Sequence, residues 1–135
     1  SFLFQSVALT GSSGANQIIG GQAGDTITGG GGADDMAGMG GADLFLFLRP
    51  SDSGPSHADS ITGFTPGQDV IDLSAIDAVK GGADNAFTFV GSAALSAAGD
   101  LRYDAATGVL EGDGLADFRL ILTDLPALTV GDLVL

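Results

Sequence analysis

Residues 11–46 consist of four consecutive nine-residue units, GSSGANQII, GGQAGDTIT, GGGGADDMA and GMGGADLFL. Each unit has glycines near its start, Asn or Asp as its sixth residue and an apolar residue as its eighth. The sixth residues are Asn16, Asp25, Asp34 and Asp43, and the eighth are Ile18, Ile27, Met36 and Phe45. A period shared by a polar and an apolar position predicts a stack of equivalent short structural units.

The three parts of each unit suit three different tasks. Glycines such as those at 29–32 can adopt positive φ and let backbone carbonyls point at a cation. A short carboxylate at the sixth position is a charged oxygen ligand of the kind that Ca²⁺ prefers. An apolar eighth residue supplies the core that stacked strands need. Four units in register argue against a glycine-rich linker with incidental aspartates, so the sequence predicts calcium sites in the turns.

The units resemble the GGxGxDxUx nonapeptide of RTX proteins, in which U is a large apolar residue. This resemblance implies a parallel β-roll with two units in each coil and loops stacked about 4.8 Å apart. It also implies that Asp25 pairs with Asp43 at one edge and Asn16 with Asp34 at the other, with backbone carbonyls completing each calcium shell. Ala23 and Met39 replace glycines but keep their carbonyls, whereas Asn16 brings one carboxylate fewer and implies weaker binding.

The resemblance extends beyond the repeats. The segments LFLFLRPSDSGPSHADSITGFTPGQDVIDLSAIDA, AFTFVGSAALS, GDLRYDAATGVLEGDGLADFRLILT and LTVGDLVL are similar to the C-terminal domain of serralysin-type metalloproteases. This likeness implies that Asp59 and Asp69 close calcium shells above Asp34 and Asp43, although an Asp that caps a turn is an equally good interpretation. The implied calcium-binding residues are Asn16, Gly21, Ala23, Asp25, Gly30, Gly32, Asp34, Gly38, Gly40, Asp43, Asp59 and Asp69.

The second half of the chain has short apolar or alternating runs at 86–90, 101–103, 109–111 and 118–122, separated by turn residues. We therefore expect an all-β fold, with a parallel β-roll of nonapeptide repeats followed by an antiparallel, β-sandwich-like C-terminal part. We expect one domain, 1–135, in which 1–10 is a leading strand from a missing upstream domain, 11–72 the calcium β-roll and 73–135 the antiparallel part. Asp113 and Asp117 fit an extra calcium site, but an Asp-Gly hairpin turn is the better interpretation.

The last four residues are an acid followed by three aliphatics, Asp132, Leu133, Val134 and Leu135. In the serralysin family such an ending resembles the tail that a type I ABC exporter reads, although a terminal β-strand has the same pattern. The chain begins with Ser1, no charged segment precedes an apolar stretch near its start, and no apolar run approaches the length of a membrane span. We therefore expect the C-terminal piece of a larger protein that is secreted to the extracellular space of a Gram-negative bacterium.

Composition narrows the function further. The chain has 17 acidic and 4 basic residues, a net charge of −13 and no cysteine. Nucleic acid and anionic membrane surfaces are therefore unsuitable partners, because no basic stripe neutralises phosphates. Without disulfides, the stability of a glycine-rich chain must come from metal. The motifs HExxH and GxSxG are absent and His57 is the single histidine, so we expect no enzyme activity in this piece and an upstream catalytic domain.

Three functions remain open. The favoured one is a calcium-binding folding and secretion module of an exported hydrolase, such as a serralysin-like protease. The second is the polysaccharide-binding R-module of a mannuronan epimerase, for which basic residues on the roll are expected; none of Arg49, Lys80, Arg102 and Arg119 lies in the repeats. The third is an adhesive or ice-binding roll, which needs ranks of Thr, whereas Thr26 and Thr28 occur in one unit only.

Overall fold

The computed structural model describes residues 5–76, 86–112 and 118–135, and in these residues it contains twelve short strands. The repeats and the segments directly around them form β1 (Ala8–Thr10), β2 (Gln17–Ile19), β3 (Thr26–Thr28), β4 (Asp35–Ala37), β5 (Leu44–Leu46), β6 (Asp59–Thr62) and β7 (Val70–Asp72). The remaining strands are β8 (Thr88–Phe89), β9 (Asp100–Asp104), β10 (Val109–Gly112), β11 (Arg119–Leu122) and β12 (Leu133–Val134).

Successive strands of the repeat alternate between two sheets. One sheet has the order β1-β3-β5-β7-β12, and all of its pairs are parallel. The other has the order β2-β4-β6-β11-β10-β9-β8. Each repeat is too short to make more than one three-residue strand and one turn, so the chain reaches the same sheet again after two units. Ile18 thus lies beside Met36, and Leu9 beside Ile27. The predicted parallel β-roll is confirmed.

The core lies between the two sheets. In the three-residue strands β2 to β5 the middle residue is buried and its neighbours are exposed or partly exposed, because successive side chains on a strand point to opposite faces. This places the apolar eighth residue of every unit inside. The interior column continues beyond the repeats, and its fully buried members include Ile61, Ile71, Leu120 and Leu122.

The C-terminal strands extend the roll. Strands β9, β10 and β11 pair antiparallel, as predicted. However, β11 also pairs parallel with β6, and β12 pairs parallel with β7. The last strands of the roll would otherwise leave unpaired backbone groups at two sheet edges. The C-terminal part therefore covers both edges and continues both sheets, which the sequence did not indicate. None of the helices in the described residues is long and apolar enough to cross a membrane.

Candidate metal centre

The sixth residues of the units, with two later aspartates, form two polar columns at the turns of the roll. The first column is Asn16, Asp34 and Asp59, and the second is Asp25, Asp43 and Asp69. Within each column, the side-chain Oδ1 of one residue accepts the backbone N–H of the residue one coil earlier. The N···O distances are 2.8 Å for Asn16 to Asp34, Asp34 to Asp59 and Asp25 to Asp43, and 2.9 Å for Asp43 to Asp69.

The second carboxylate oxygens are not all satisfied. Asp25 Oδ2 accepts the N–H of Gly21 at 2.8 Å, and Asp69 Oδ2 accepts the N–H of Thr65 at 2.9 Å. By contrast, the Oδ2 atoms of Asp34, Asp43 and Asp59 are buried and have no hydrogen-bond partner. A buried charged oxygen without a partner costs more folding free energy than a neutral polar atom in the same position. Three carboxylates therefore carry an unsatisfied oxygen in the middle of the roll.

Burial raises the pKa of these three carboxylates. The pKa of Asp59 rises from 3.8 to about 7, mainly because burial disfavours its charge and also because Asp34 and Asp52 are close. The pKa of Asp43 rises to about 6 for the same main reason, with a further contribution from the charges of Asp69 and Asp25. Burial likewise raises the pKa of Asp34. Nearby positive charge would reverse each effect, so these positions favour either a proton or a cation.

The first glycine of each unit leaves room for the polar side chain of the same unit. A Cβ built on Gly29 would lie 2.6 Å from Asp34 Oδ2, and one built on Gly38 would overlap the Asp43 carboxylate. At Gly20 the missing Cβ faces two oxygens, Asp25 Oδ2 and the carbonyl oxygen of Gly38 in the next coil. Carboxylate and carbonyl oxygens thus converge where glycine keeps the space open.

The turns of the third and fourth units differ from those of the first two. In these later turns the second and fourth residues have positive φ: Gly30 and Gly32 in one, Met39 and Gly41 in the other. The corresponding residues of the first two units do not have positive φ. A left-handed backbone at two alternate positions redirects the intervening carbonyls, and glycine adopts it without strain. Met39 adopts it at φ 71° and leaves its side chain exposed.

The residues present fit calcium. Unpartnered carboxylate oxygens, neighbouring carbonyl oxygens and glycine-lined space are what a hard cation with many oxygen ligands requires. In the part of the chain that the structure describes, no group of three or more His, Cys, Asp or Glu side chains converges as a metal site. Side chains alone would therefore not make the shell, and backbone carbonyls would have to contribute most of it. Asp113 and Asp117 lie outside the described residues.

Asp59 and Asp69 differ in how well they fit the two interpretations given from the sequence, a calcium ligand or a turn cap. Both lie in the polar columns, as their Oδ1 atoms accept the N–H groups of Asp34 and Asp43. The second oxygen of Asp69 caps a turn through Thr65, whereas the second oxygen of Asp59 makes no such bond. The turn-capping alternative therefore describes Asp69 in part and does not describe Asp59.

Sequence reasoning missed two buried residues beside the first column. Asp52 is buried, and its charge contributes to the raised pKa of Asp34 and Asp59. Ser53 is also buried; its Oγ accepts the N–H of Asp59 at 2.9 Å and donates to the carbonyl of Arg119. Both lie in a short 3-10 helix, Pro50–Ser53, outside the nine-residue period, so no spacing signal marked them.

Comparison with known proteins places these features in a family. The model of the family described as Peptidase M10 serralysin C terminal matches residues 6–116. In fold, the chain is similar to the AlgE6R3 subunit of the mannuronan C5-epimerase from Azotobacter vinelandii, with a TM-score of 0.56 and 22% sequence identity over 96% of this chain and 77% of that one. No match was found among the curated proteins. Because the family model covers most of its length, the chain belongs to the serralysin C-terminal family of RTX β-rolls.

Proposed function

We propose that this chain is a non-catalytic calcium-binding module that folds when calcium binds outside the cell. The observation that carries the proposal is the set of buried, unpartnered Oδ2 atoms on Asp34, Asp43 and Asp59. They lie in two columns, and those of Asp34 and Asp43 lie next to Gly29 and Gly38, which leave open space beside the carboxylates. Calcium would be held by these carboxylates and by carbonyls of the adjoining turns, and its contribution is structural: it neutralises the columns and joins adjacent coils.

The full set of proposed ligands keeps the sequence assignment and adds one residue. Backbone carbonyls would come from Gly21, Ala23, Gly30, Gly32, Gly38 and Gly40, and side chains from Asn16, Asp25, Asp34, Asp43, Asp59 and Asp69. Asp52 joins them because its buried carboxylate acts on both Asp34 and Asp59. The strongest sites are expected around the three unpartnered oxygens. The first coil is expected to bind weakly, since Asn16 has no charge and its Oδ1 already accepts the N–H of Ser12 at 2.7 Å.

Linkage explains why calcium would control folding. A site with a Kd of about 0.1 mM gains roughly 1.4 kcal/mol at about 1 mM free Ca²⁺ and almost nothing at micromolar levels. The raised pKa values of Asp43 and Asp59 mean that their ionisation opposes folding at neutral pH. Several coupled sites that remove this opposition would give a steep response to calcium. The chain would therefore stay unfolded in the cytosol and fold in the extracellular medium.

We further propose that the module belongs to an exported hydrolase, such as a serralysin-like protease, and that residues 132–135 are read by a type I ABC exporter. The family description, the acidic composition and the acid-plus-aliphatic ending support this proposal. The parent protein would be secreted by a Gram-negative bacterium. Deleting residues 132–135 should abolish export of the parent protein while leaving its synthesis unchanged; undiminished export would remove this role.

The folding proposal is tested by circular dichroism of the purified chain. We expect little β-structure with a chelator at neutral pH and a cooperative gain as free Ca²⁺ rises into the millimolar range. Magnesium should not replace calcium, because it requires stricter octahedral geometry and loses its water reluctantly. A chain that is fully folded in chelator at neutral pH, or that responds equally to magnesium, would contradict the proposal.

A second candidate is polysaccharide binding, which the likeness in fold to an epimerase subunit favours. The charges of the roll weigh against an anionic polysaccharide. Arg102 and Arg119 both form ion pairs with Glu111, the second at 3.0 Å, and Arg49 forms one with Asp52 at 3.6 Å, so three of the four basic residues are already partnered. Titration of the calcium-loaded chain with alginate separates the candidates. Saturable binding at physiological salt would favour the polysaccharide module.

A further inference from the structure

The C-terminal tail of the chain, residues 132–135, is an ordered part of the fold. Leu133 and Val134 form β12, which pairs parallel with β7 as the last strand of the all-parallel sheet. Leu133 is buried in the core cluster, and Leu135 packs against that cluster. The backbone N–H of Leu73 also donates to the carbonyl of Val134 at 2.8 Å. The residues that resemble an export tail therefore contact the rest of the protein along the whole tail.

Asp132 fixes the tail in this position. Its side chain is buried, and both of its oxygens are satisfied within the protein. Oδ1 accepts the N–H of Gly67 at 2.7 Å. Oδ2 accepts the N–H of Thr129 at 2.9 Å and its hydroxyl at 3.3 Å. The carboxylate thus ties the tail to the loop that precedes β7, and both of its oxygens are engaged within the protein.

That loop also ends in a residue of the second polar column. Asp69 lies two residues after Gly67, and its Oδ1 accepts the N–H of Asp43, the residue with an unpartnered oxygen in the same column. Ordering of the column and formation of the docking position for the tail therefore involve the same short segment. If the column is disordered, both Gly67 and β7 are lost as partners of the tail.

We propose that the tail has two mutually exclusive states, docked as the last strand of the calcium-loaded roll or free in the calcium-free chain, and that the exporter binds only the free state. The proposal rests on the function proposed above and adds its regulation. Asp132 is a positioning residue in the docked state. Folding after export would then hide the tail and make recapture by the exporter impossible.

Carboxypeptidase Y tests docking directly, because it removes residues one by one from an accessible C-terminus. The purified chain is incubated with the enzyme in millimolar calcium or in chelator, and the loss of Leu135, Val134 and Leu133 is followed by mass spectrometry. We expect release to be at least ten-fold slower in calcium. Equal release in both conditions, or protection in both, would overturn the proposal. A peptide of residues 126–135, assayed in both buffers, corrects for effects on the enzyme itself.

Two variants identify the anchor. Asp132→Asn removes the negative charge that holds Gly67 and Thr129 together, and we expect release in calcium to rise several-fold while circular dichroism still shows the folded roll. Thr129→Val removes the hydroxyl, which donates to Asp132 Oδ2 and belongs to a capping box with the backbone of Asp132, and should have a smaller effect in the same direction; it serves as the anchor test if the first variant does not fold. The matched control is Asp104→Asn, whose exposed carboxylate caps a distant turn through the N–H of Ala106. Release as slow as in the unmodified chain in both anchor variants would overturn the role of Asp132.

Circular dichroism of the same samples separates this inference from the proposed function. If the chain is folded in chelator, calcium-dependent folding itself is wrong. If the chain folds only with calcium but its tail is digested in both conditions, the function survives and the docking proposal fails. In the export assay, a parent protein added in its calcium-loaded state to the outer, cytosolic face of inverted membrane vesicles should not engage the exporter; engagement of the folded state would also contradict the proposal.

Discussion

Replacing Asp59 by Asn should stabilise the calcium-free chain and weaken its response to calcium. Asp59 is fully buried, its Oδ2 has no partner and its pKa is raised from 3.8 to about 7. A carboxyl whose pKa is raised in the folded state stabilises the fold below its ordinary pKa, and this stability is lost as the pH rises through the folded value. At about pH 7 the loss is about 4 kcal/mol for a shift of this size. Asn stays neutral at every pH and keeps an oxygen that can accept the N–H of Asp34.

The expected gain is smaller than the full charge penalty. The amide nitrogen of the Asn side chain would replace an oxygen that has no partner, and an unsatisfied buried donor costs about 1–3 kcal/mol. We therefore expect Asp59→Asn to raise the free energy of unfolding by about 2 kcal/mol in chelator at neutral pH. In millimolar calcium the order should reverse, because the variant lacks a charged ligand.

Urea unfolding followed by circular dichroism, in chelator and in calcium, measures both effects. Asp104→Asn is the control, since its carboxylate is at the surface, and it should change neither value appreciably. A variant at position 59 that is equally destabilised in both buffers would refute the reasoning, because it would show that the carboxylate stabilises the fold without a cation.

Three further outcomes follow from the same geometry. In chelator, lowering the pH from about 8 to about 5 should increase the folded fraction seen by circular dichroism, because the folded pKa values of Asp43 and Asp59 are raised to about 6 and about 7; a decrease over this range would reverse the assigned sign. Gly38→Ala should lower calcium affinity in a calorimetric titration and destabilise the loaded roll by about 2 kcal/mol, because its Cβ would overlap the Asp43 carboxylate. Gly14→Ala is its control: a Cβ there would meet its nearest atom at 3.8 Å, so an equal loss would exclude the overlap as the cause. Met39→Gly should raise the free energy of unfolding in calcium by about 0.5–1 kcal/mol, because φ at this position is 71° and glycine adopts it without strain; a loss in urea unfolding would count against that explanation.

The nine-residue period made the first half of the fold predictable. It places Ile18, Ile27, Met36 and Phe45 in the interior, where the structure has them. The second half has no such period, and alternating runs reveal that a strand exists but not which edge it covers. The parallel pairing of β11 with β6 depends on contacts between residues about sixty positions apart, so no local pattern contains it.

The stacking of the polar columns also follows from the period, but the distribution of satisfied and unsatisfied oxygens does not. Asp25 and Asp43 occupy the same position in units 18 residues apart, yet only Asp25 closes its own turn with a backbone N–H. The difference accompanies the turn conformation, which is left-handed at Met39 and Gly41 in the later unit and not at the matching positions of the earlier one. Residue type alone does not determine this conformation, as Met39 demonstrates. Asp52 and Ser53 could not be predicted as neighbours of the site for a related reason, because only folding brings their segment to the first column.

The ends of the polar columns explain why calcium would act on the middle of the roll. At the N-terminal end the backbone N–H groups of Val7 and Asn16, two uncharged residues, donate to Oδ1 of Asp25 and Asp34. At the C-terminal end Ser53 accepts the N–H of Asp59, and Asp69 Oδ2 accepts the N–H of Thr65. Both ends are thus closed by groups that need no cation, while the three unpartnered oxygens lie between them. The buried carboxylate oxygens that lack a partner are therefore confined to the interior of the stack. A calcium ion bound there would order the turns on both sides of it.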